Sequence, residues 1–241
     1  MKYLDLTLAT VAENLALEEA ILQQCENGTL GAEEWVRVWD AHQPFVVIGR
    51  SSRLAEEVDL AAAAQMKAPV FRRISGGASI AAGPGCFFYA VFLSLHRRPH
   101  LRMIDQAHRF VMEKIAAAVR QLGVEPRVDG HCDLVVGDRK VSGNALRIQR
   151  NWLLYHGTLL LSMDLTLIEQ LLRHPPREPG YRRGRPHREF LANLGLGRQE
   201  LAAALCRQWQ AEPVQQFSVP QVAVTRLVTT RYNNPRWNAA R

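Results

Sequence analysis

Residues 130–158, GHCDLVVGDRKVSGNALRIQRNWLLYHGT, decide the fold. Runs of β-type residues are separated by two turn signals, Gly137 with Asp138 and Arg150 with Asn151. A two-residue Gly-Asp loop favours a tight hairpin, because glycine supplies the positive φ that the turn needs. Pairing Val136 with Arg139 then sets Val135 opposite Lys140 and Asp133 opposite Ser142. Side chains alternate along a strand, so Asp133, Lys140, Ser142 and Asn144 are predicted on one face. Leu134, Val136, Val141 and Ala145 fall on the other, the core side. A lysine held on a strand among a carboxylate, a hydroxyl and an amide can grip a carboxylate or phosphate oxygen. An ordinary solvated hairpin face fits the same pattern. The second half argues for a site, because Gly157 interrupts a strand of bulky residues where a ligand or backbone comes close.

Upstream, PVFRRISGGASIAAGPGCFFYAVFLSL occupies residues 69–95. A strand over 70–74 runs into small residues, and an apolar strand follows over 87–95. Arg72 and Arg73 must point to opposite faces, so at most one readily reaches a ligand. The small residues after Ser75 let backbone approach a ligand, and their N–H groups can bond phosphate oxygens. A glycine turn in a β-meander is the plainer account. Neither a P-loop nor a GxGxxG fingerprint is present.

Lys140-Val141-Ser142-Gly143-Asn144-Ala145, then His156-Gly157-Thr158, resemble the lipoate-protein ligase A family, and Arg72-Arg73-Ile74-Ser75-Gly76-Gly77 resembles its arginine-glycine signature. The resemblance runs from about residue 15 to 237. It implies an α+β fold: a mixed, largely antiparallel sheet flanked by helices, the class II biotin/lipoate protein ligase-like catalytic domain. It also implies a two-step reaction, in which lipoate and ATP give lipoyl-adenylate, and a lysine of a lipoyl domain or glycine-cleavage H protein then takes the acyl group. By that resemblance Lys140 contacts acyl group and phosphate, and Arg73 lies at the nucleotide. Ser75, Gly76, Gly77, Ala78, Ser79, Ile80 and Ala81 form the nucleotide loop, with Ser142 and Asn144 on the lysine strand. Asp133 would hold the ammonium or a Mg2+ ion, His156 would shape the site, and Gly157 would leave room for the acyl chain. ATP and Mg2+ are the expected cofactors, with lipoate as substrate.

Two departures keep a second reading open. The family's third glycine is Ala78, and its usual His-Asp pair is replaced by Ala82 with Gly83. The chain also ends soon after Trp237, where large ligases continue, so it reads as one catalytic domain over 1–241, with any accessory domain separate. An ATP-independent lipoyl or octanoyl transferase, working through a cysteine thioester, would need a thiolate in an electropositive site. Strand parity puts Cys132 on the apolar face, where cysteine acts as a small hydrophobe, leaving Cys86 as the better candidate nucleophile.

Composition bounds the rest. The 241 residues are 47% hydrophobic, enough for a substantial core. No apolar run reaches the roughly 18 residues of a membrane span, and the N-terminus lacks a basic-then-apolar leader. Four cysteines without zinc spacing fit a cytoplasmic protein with reduced thiols. The formal charge of +7 favours anionic partners. A nucleic-acid-binding protein is the reading from another class. It is disfavoured because aromatic residues do not interleave with the basic run at 173–188. That run, rich in proline, glycine and arginine, is expected to be a loop, either solvated or docking an acidic acceptor.

Thr10 with Glu13 fits a capping box, opening a helix that Gly28 ends. Further helices are predicted over 56–66, 103–122, 165–172 and 199–209, and strands over 34–40, 45–49 and 222–229.

Overall fold

The computed structural model describes residues 1–240. Strand β1 (Lys2–Asp5) leads to helix α1 (Val11–Glu26), then β2 (Trp35–Asp40) and β3 (Phe45–Ile48). Short helices α2 (Leu54–Glu57) and α3 (Leu60–Gln65) precede β4 (Val70–Arg72), β5 (Ile80–Ala82) and β6 (Cys86–Ser94). After α4 (Ile104–Arg120) come β7 (Arg127–Asp129), β8 (Asp133–Val136), β9 (Arg139–Ile148) and β10 (Trp152–Leu160). The remainder holds α5 (Thr166–Leu171), α6 (His187–Phe190), α7 (Arg198–Gln208), β11 (Glu212–Pro213), α8 (Gln221–Leu227) and α9 (Pro235–Asn238).

The eight-stranded sheet has the order β11-β1-β2-β6-β10-β9-β8-β7, parallel only where β1 meets β11 and β2. A second sheet, β4-β3-β5, pairs β3 parallel to β4 and antiparallel to β5. One face of the large sheet carries Tyr89, Val91, Leu134 and Leu159 into a core with α4 and α7. The other carries Phe88, Ala90 and Leu154 into a core with α1 and the small sheet. This is the expected α+β architecture, a largely antiparallel sheet covered on both faces.

Local signals explain where the elements start. Thr10 and Glu13 form the capping box of α1, each side chain bonding the other's backbone N–H. Helix α1 is buried on nearly every side, between the sheet and α8, so even Glu18 and Glu19 lie inside.

Three predicted elements differ. The helix expected over 56–66 is two, because Val58 turns extended, buries completely and pairs with Leu172. The strand expected over 222–229 is α8, continued by a π-helical turn Val228–Tyr232. Val224 and Leu227 are buried while Val222 is 87% exposed, and helical spacing achieves this where alternation does not. The arginine-rich run is folded rather than loose: Gly180–Arg182 forms a 3-10 turn and α6 follows.

Arg72 ties the C-terminal segment to the small sheet. Its guanidinium donates to the carbonyls of Gly49 (2.9 Å), Ser52 (2.8 Å), Trp237 (3.1 Å) and Asn238 (3.1 Å). The Trp237 indole N–H donates back to the Arg72 carbonyl at 2.9 Å.

Candidate active site

The β8–β9 hairpin departs from strict alternation. Val136 pairs with Arg139 and Val135 with Lys140, but then Leu134 meets Ser142 and Asp133 meets Gly143. Val141 is the extra residue of a β-bulge, and both Val141 and Ser142 turn toward the α4 side. The predicted polar face is therefore split. Lys140 and Asp133 share a face with Gly143 and Ala145, whereas Ser142 and Asn144 lie with Leu134 and Tyr89 on the other. The reason is physical: a bulge shifts the period-2 count by one residue.

Lys140 Nζ pairs with Asp133 Oδ1 at 2.8 Å, and Tyr181 donates its hydroxyl to Asp133 Oδ2 at 2.7 Å. A Cβ at Gly143 would come within 3.0 Å of Lys140 Cε and Nζ, so this glycine lets the lysine fold back over its own strand. Burial, and the carboxylate it faces, push the Tyr181 pKa up, so the hydroxyl remains a donor.

Lys140, Asp133 and Arg73 line a cavity of about 940 Å3. Leu15, Trp39, Val47, Ile80 and Phe88 form its apolar walls, with Trp39 and Phe88 stacked at 4.0 Å between ring centroids. Arg177, Glu178, Pro179 and Gly180 close one side. The run expected as solvated or docking is thus partly wall. Arg182 is buried against the Phe190 ring at 4.8 Å, and Arg185 is bound to Asp138 at 2.8 Å. Neither is free to meet a partner.

Of the two arginines, Arg73 is the one that reaches the cavity, as parity required. Its Nε donates to Ser75 Oγ at 3.0 Å and its Nη2 to the Ala78 carbonyl at 3.0 Å. Burial lowers its pKa to about 10, so it remains a cation at neutral pH. The cavity wall includes Gly77, Ala78, Ser79 and Ile80, while Ala81 is buried in β5. The N–H groups of Gly76, Gly77 and Ala78 have no acceptor among the described residues, but the Ser79 N–H donates to Glu57 at 2.8 Å. Three amides therefore remain for an anion and Ser79 drops out. Ala82 and Gly83 sit against Phe45 and Pro44, away from the cavity.

His156 bridges two elements: its Nδ1 meets Glu18 Oε2 at 2.6 Å and its Nε2 meets Ser75 Oγ at 2.6 Å. The gap at Gly157 is filled from within. A Cβ there would lie 1.9 Å from Asn144 Oδ1, so its side-chain position makes room for that carboxamide, while Gly157 also lines the cavity. Asn144 in turn accepts from Tyr89 and donates to the Cys132 carbonyl at 2.8 Å.

The two thiols exchange places. Cys86 is 3% exposed in the core, raised by burial and by Asp40, and does not line the cavity. Cys132 lies in the turn before β8 and does line it. Burial and Asp133 raise its pKa despite Lys140 and Arg73, which keeps it protonated at neutral pH.

Asp133 holds the Lys140 ammonium, the first of its two expected roles, and accepts from Tyr181 on its other oxygen. Among the described residues no group of three or more His, Cys, Asp or Glu is arranged to hold a metal. Nor is any described helix long and apolar enough to cross a membrane.

Sequence reasoning missed Glu18, Glu57, Tyr181 and Gly143. Glu18 carried one signal, a carboxylate beside Leu17 in the apolar stripe of α1, and Tyr181 another, a lone aromatic in an arginine run.

A cavity lined by cations, amide-bearing loop residues and apolar side chains can hold an acyl group and an anion together, and known proteins share the arrangement's sequence and fold. Residues 10–202 match the model of the lipoyl protein ligase A/B catalytic domain. An Aeropyrum pernix protein named for lipoate-protein ligase A is 34% identical over 160 residues, 66% of this chain and 57% of that one. Lipoate–protein ligase 1 of Staphylococcus aureus is 29% identical over 183 residues, 75% of this chain and 52% of that one. The octanoyltransferase LipM of Geobacillus kaustophilus is 25% identical over 197 residues, 72% of this chain and 70% of that one. The chain thus spans little more than half the length of the first two relatives. Lipoate-protein ligase A bound with ATP superposes with a TM-score of 0.81 at 21% identity, covering 99% of this chain and 98% of that one. The bi-partite lipoate protein ligase of Thermoplasma acidophilum, solved with its E2 lipoyl domain, also gives 0.81, at 22% identity and 99% and 95% coverage. With the motif-bearing strands inside the matched region and the same fold around them, this chain belongs to the lipoyl protein ligase A/B catalytic-domain family.

Proposed function

We propose that this chain attaches lipoate, or a related medium-chain acyl group, to a lysine of a lipoyl domain, through an acyl-adenylate made from ATP. The observation that carries the reading is the cavity itself, lined by apolar side chains together with Lys140, Arg73 and the residues Gly77 and Ala78, whose amides have no partner among the described residues. A carboxylate and a triphosphate repel one another. A fixed ammonium and guanidinium, with amides aimed at the phosphate, offset that repulsion most where charge concentrates in the transition state.

In the first step a carboxylate oxygen attacks the α-phosphorus, and the bond to the β-phosphate oxygen breaks, releasing pyrophosphate. In the second the neutral amine of the acceptor lysine attacks the acyl carbon. AMP leaves with the electron pair, and the amine's proton passes to solvent. Lys140 must release part of its hold on Asp133 to follow the carboxylate, and the flexible lysine stem allows this. Mg2+ would arrive on the nucleotide's phosphates. The acceptor class follows from the lipoyl domain that accompanies the Thermoplasma acidophilum relative, with glycine-cleavage H protein as an alternative carrier. We place the enzyme in the cytoplasm, where both carriers and ATP occur.

Cys132 supports the second reading, an acyl transferase, because it is the cavity's thiol and feels the charges of Lys140 and Arg73. Its raised pKa weighs against it as a nucleophile. Intact-mass analysis of an apo lipoyl domain incubated with the protein and lipoate, with and without ATP, tests the proposal. Modification only with ATP is expected, and Cys132→Ser should retain most of it. An acyl-cysteine adduct formed without ATP would instead establish the transferase.

A further inference from the structure

We propose that Glu18 and His156 are positioning residues that act through Ser75: a one-way hydrogen-bond relay, with His156 neutral and protonated on Nδ1, fixes the Arg73 guanidinium. What Arg73 then does to a nucleotide rests on the ligase reading above; the relay itself does not.

Counting hydrogens gives its direction. Arg73 Nε is always a donor, so Ser75 Oγ accepts from it at 3.0 Å. The serine's own hydrogen then has one acceptor in reach, His156 Nε2 at 2.6 Å. That nitrogen must therefore be unprotonated, and the ring's hydrogen sits on Nδ1, facing Glu18 Oε2 at 2.6 Å. Glu18 is buried and both of its oxygens face N–H donors, so it serves this relay as an acceptor. The Trp39 indole N–H takes its other oxygen at 2.8 Å.

An imidazolium would reverse this. Two N–H donors would converge on Ser75 Oγ, and the hydroxyl hydrogen would be stranded where only 1% of the residue is exposed. The site would also hold a third cation beside Arg37 and Arg73, against one carboxylate.

The acid–histidine–serine order is that of a hydrolase triad, but the serine cannot be a nucleophile here. Ser75 does not line the cavity, and one of its lone pairs serves Arg73. The relay ends on a guanidinium that in turn holds the carbonyls of Gly76 and Ala78, so it sets the shape of the amide-bearing loop. The charged and titratable groups around His156 are Glu18 from α1, Arg37 from β2 and Arg73 from the loop after β4. Asp133, Lys140 and Cys132 face it across the cavity from the β8–β9 hairpin.

The first test uses ligand-free wild-type protein with 15N-labelled histidine, the His156 signals identified by their loss in His156→Gln. At pH 7 the ring is expected to carry hydrogen on Nδ1 alone. An Nε2–H tautomer or an imidazolium overturns the relay, whatever the protein's activity. The second compares ATP-dependent lipoylation in Ser75→Ala, Glu18→Gln and Arg73→Lys. Each single variant is expected to raise the KM for ATP at least tenfold. Ser75→Ala is expected to add less than twofold on the Arg73→Lys background. Additive losses overturn the positioning role. A wild type inactive with ATP overturns the ligase reading and leaves the nitrogen spectrum to decide the relay.

Discussion

Lys140 is the residue on which the activity should depend most sharply. It is partly exposed and packs on Gly143, so truncation removes charge more than core. Lys140→Ala should lower acyl-transfer turnover by about 100- to 1,000-fold, the scale of losing one fixed electrostatic donor, with an unchanged circular dichroism spectrum. Lys140→Arg should also turn over poorly, because a planar fork cannot lie across Gly143 as a compact ammonium does. Glu18 gives a residue-scale prediction of another kind. Its pKa is held below the ordinary value of about 4.3, so its contribution to stability is complete above that pH. The contribution is lost as pH falls through the depressed folded-state value. Glu18→Gln should lower stability at pH 7 and flatten the acid side of a Tm-versus-pH curve, measured by calorimetry; parallel curves would show that the carboxylate's charge is not involved.

At the scale of elements, the segment between α5 and α6 is a wall held by a few contacts. Tyr181 anchors it to Asp133, and Arg182 stacks on Phe190. Tyr181→Phe should lower stability by at most about 3 kcal/mol, the upper worth of one hydrogen bond to a charged group, yet speed proteolytic cleavage within 174–186 several-fold. Unchanged cleavage would mean that the turn holds without its anchor. What the sequence disclosed about elements followed from the strength of local rules. The capping box of α1 and the Gly-Asp turn were legible because each is satisfied by residues three or fewer positions apart. The bulge at Val141 was not, since nothing in KVSGNA distinguishes an extra residue from regular alternation. That single insertion reassigned Ser142 and Asn144 to the far face. Helix α8 was misread because its valines and threonines favour strands, and only packing against α1 overrides that preference. Glu18 was hidden for a related reason: a carboxylate on a helix reads as solvent-facing until its partners from β2 and β10, far away in sequence, are known.

For the whole molecule, the charge of +7 needs redistribution from the sequence reading. Arg182 and Arg185 are internal ties and the exposed Arg177 lines the cavity, leaving Arg173, Arg183 and Arg188 as the exposed cations of that region away from it. Replacing these three by Glu should raise the apparent KM for an acidic lipoyl domain about tenfold and weaken its salt dependence, as expected for steering of association. An unchanged KM at low and high salt would assign acceptor docking to another surface.

The clasp between Arg72 and the C-terminal segment also governs the order in which the chain can be completed during synthesis. Trp237 and Asn238 supply carbonyl acceptors to a guanidinium encoded 165 and 166 positions earlier. Strand β1, too, finishes its pairing only when β11 is made. A nascent chain arrested before these residues leave the ribosome has translated every motif of the site, yet lacks the carbonyls that hold the Arg72 guanidinium beside Arg73. Such a chain should remain open to chaperones and proteases around Arg72 until residues 237 and 238 emerge, so this part of the fold is completed late and in one step.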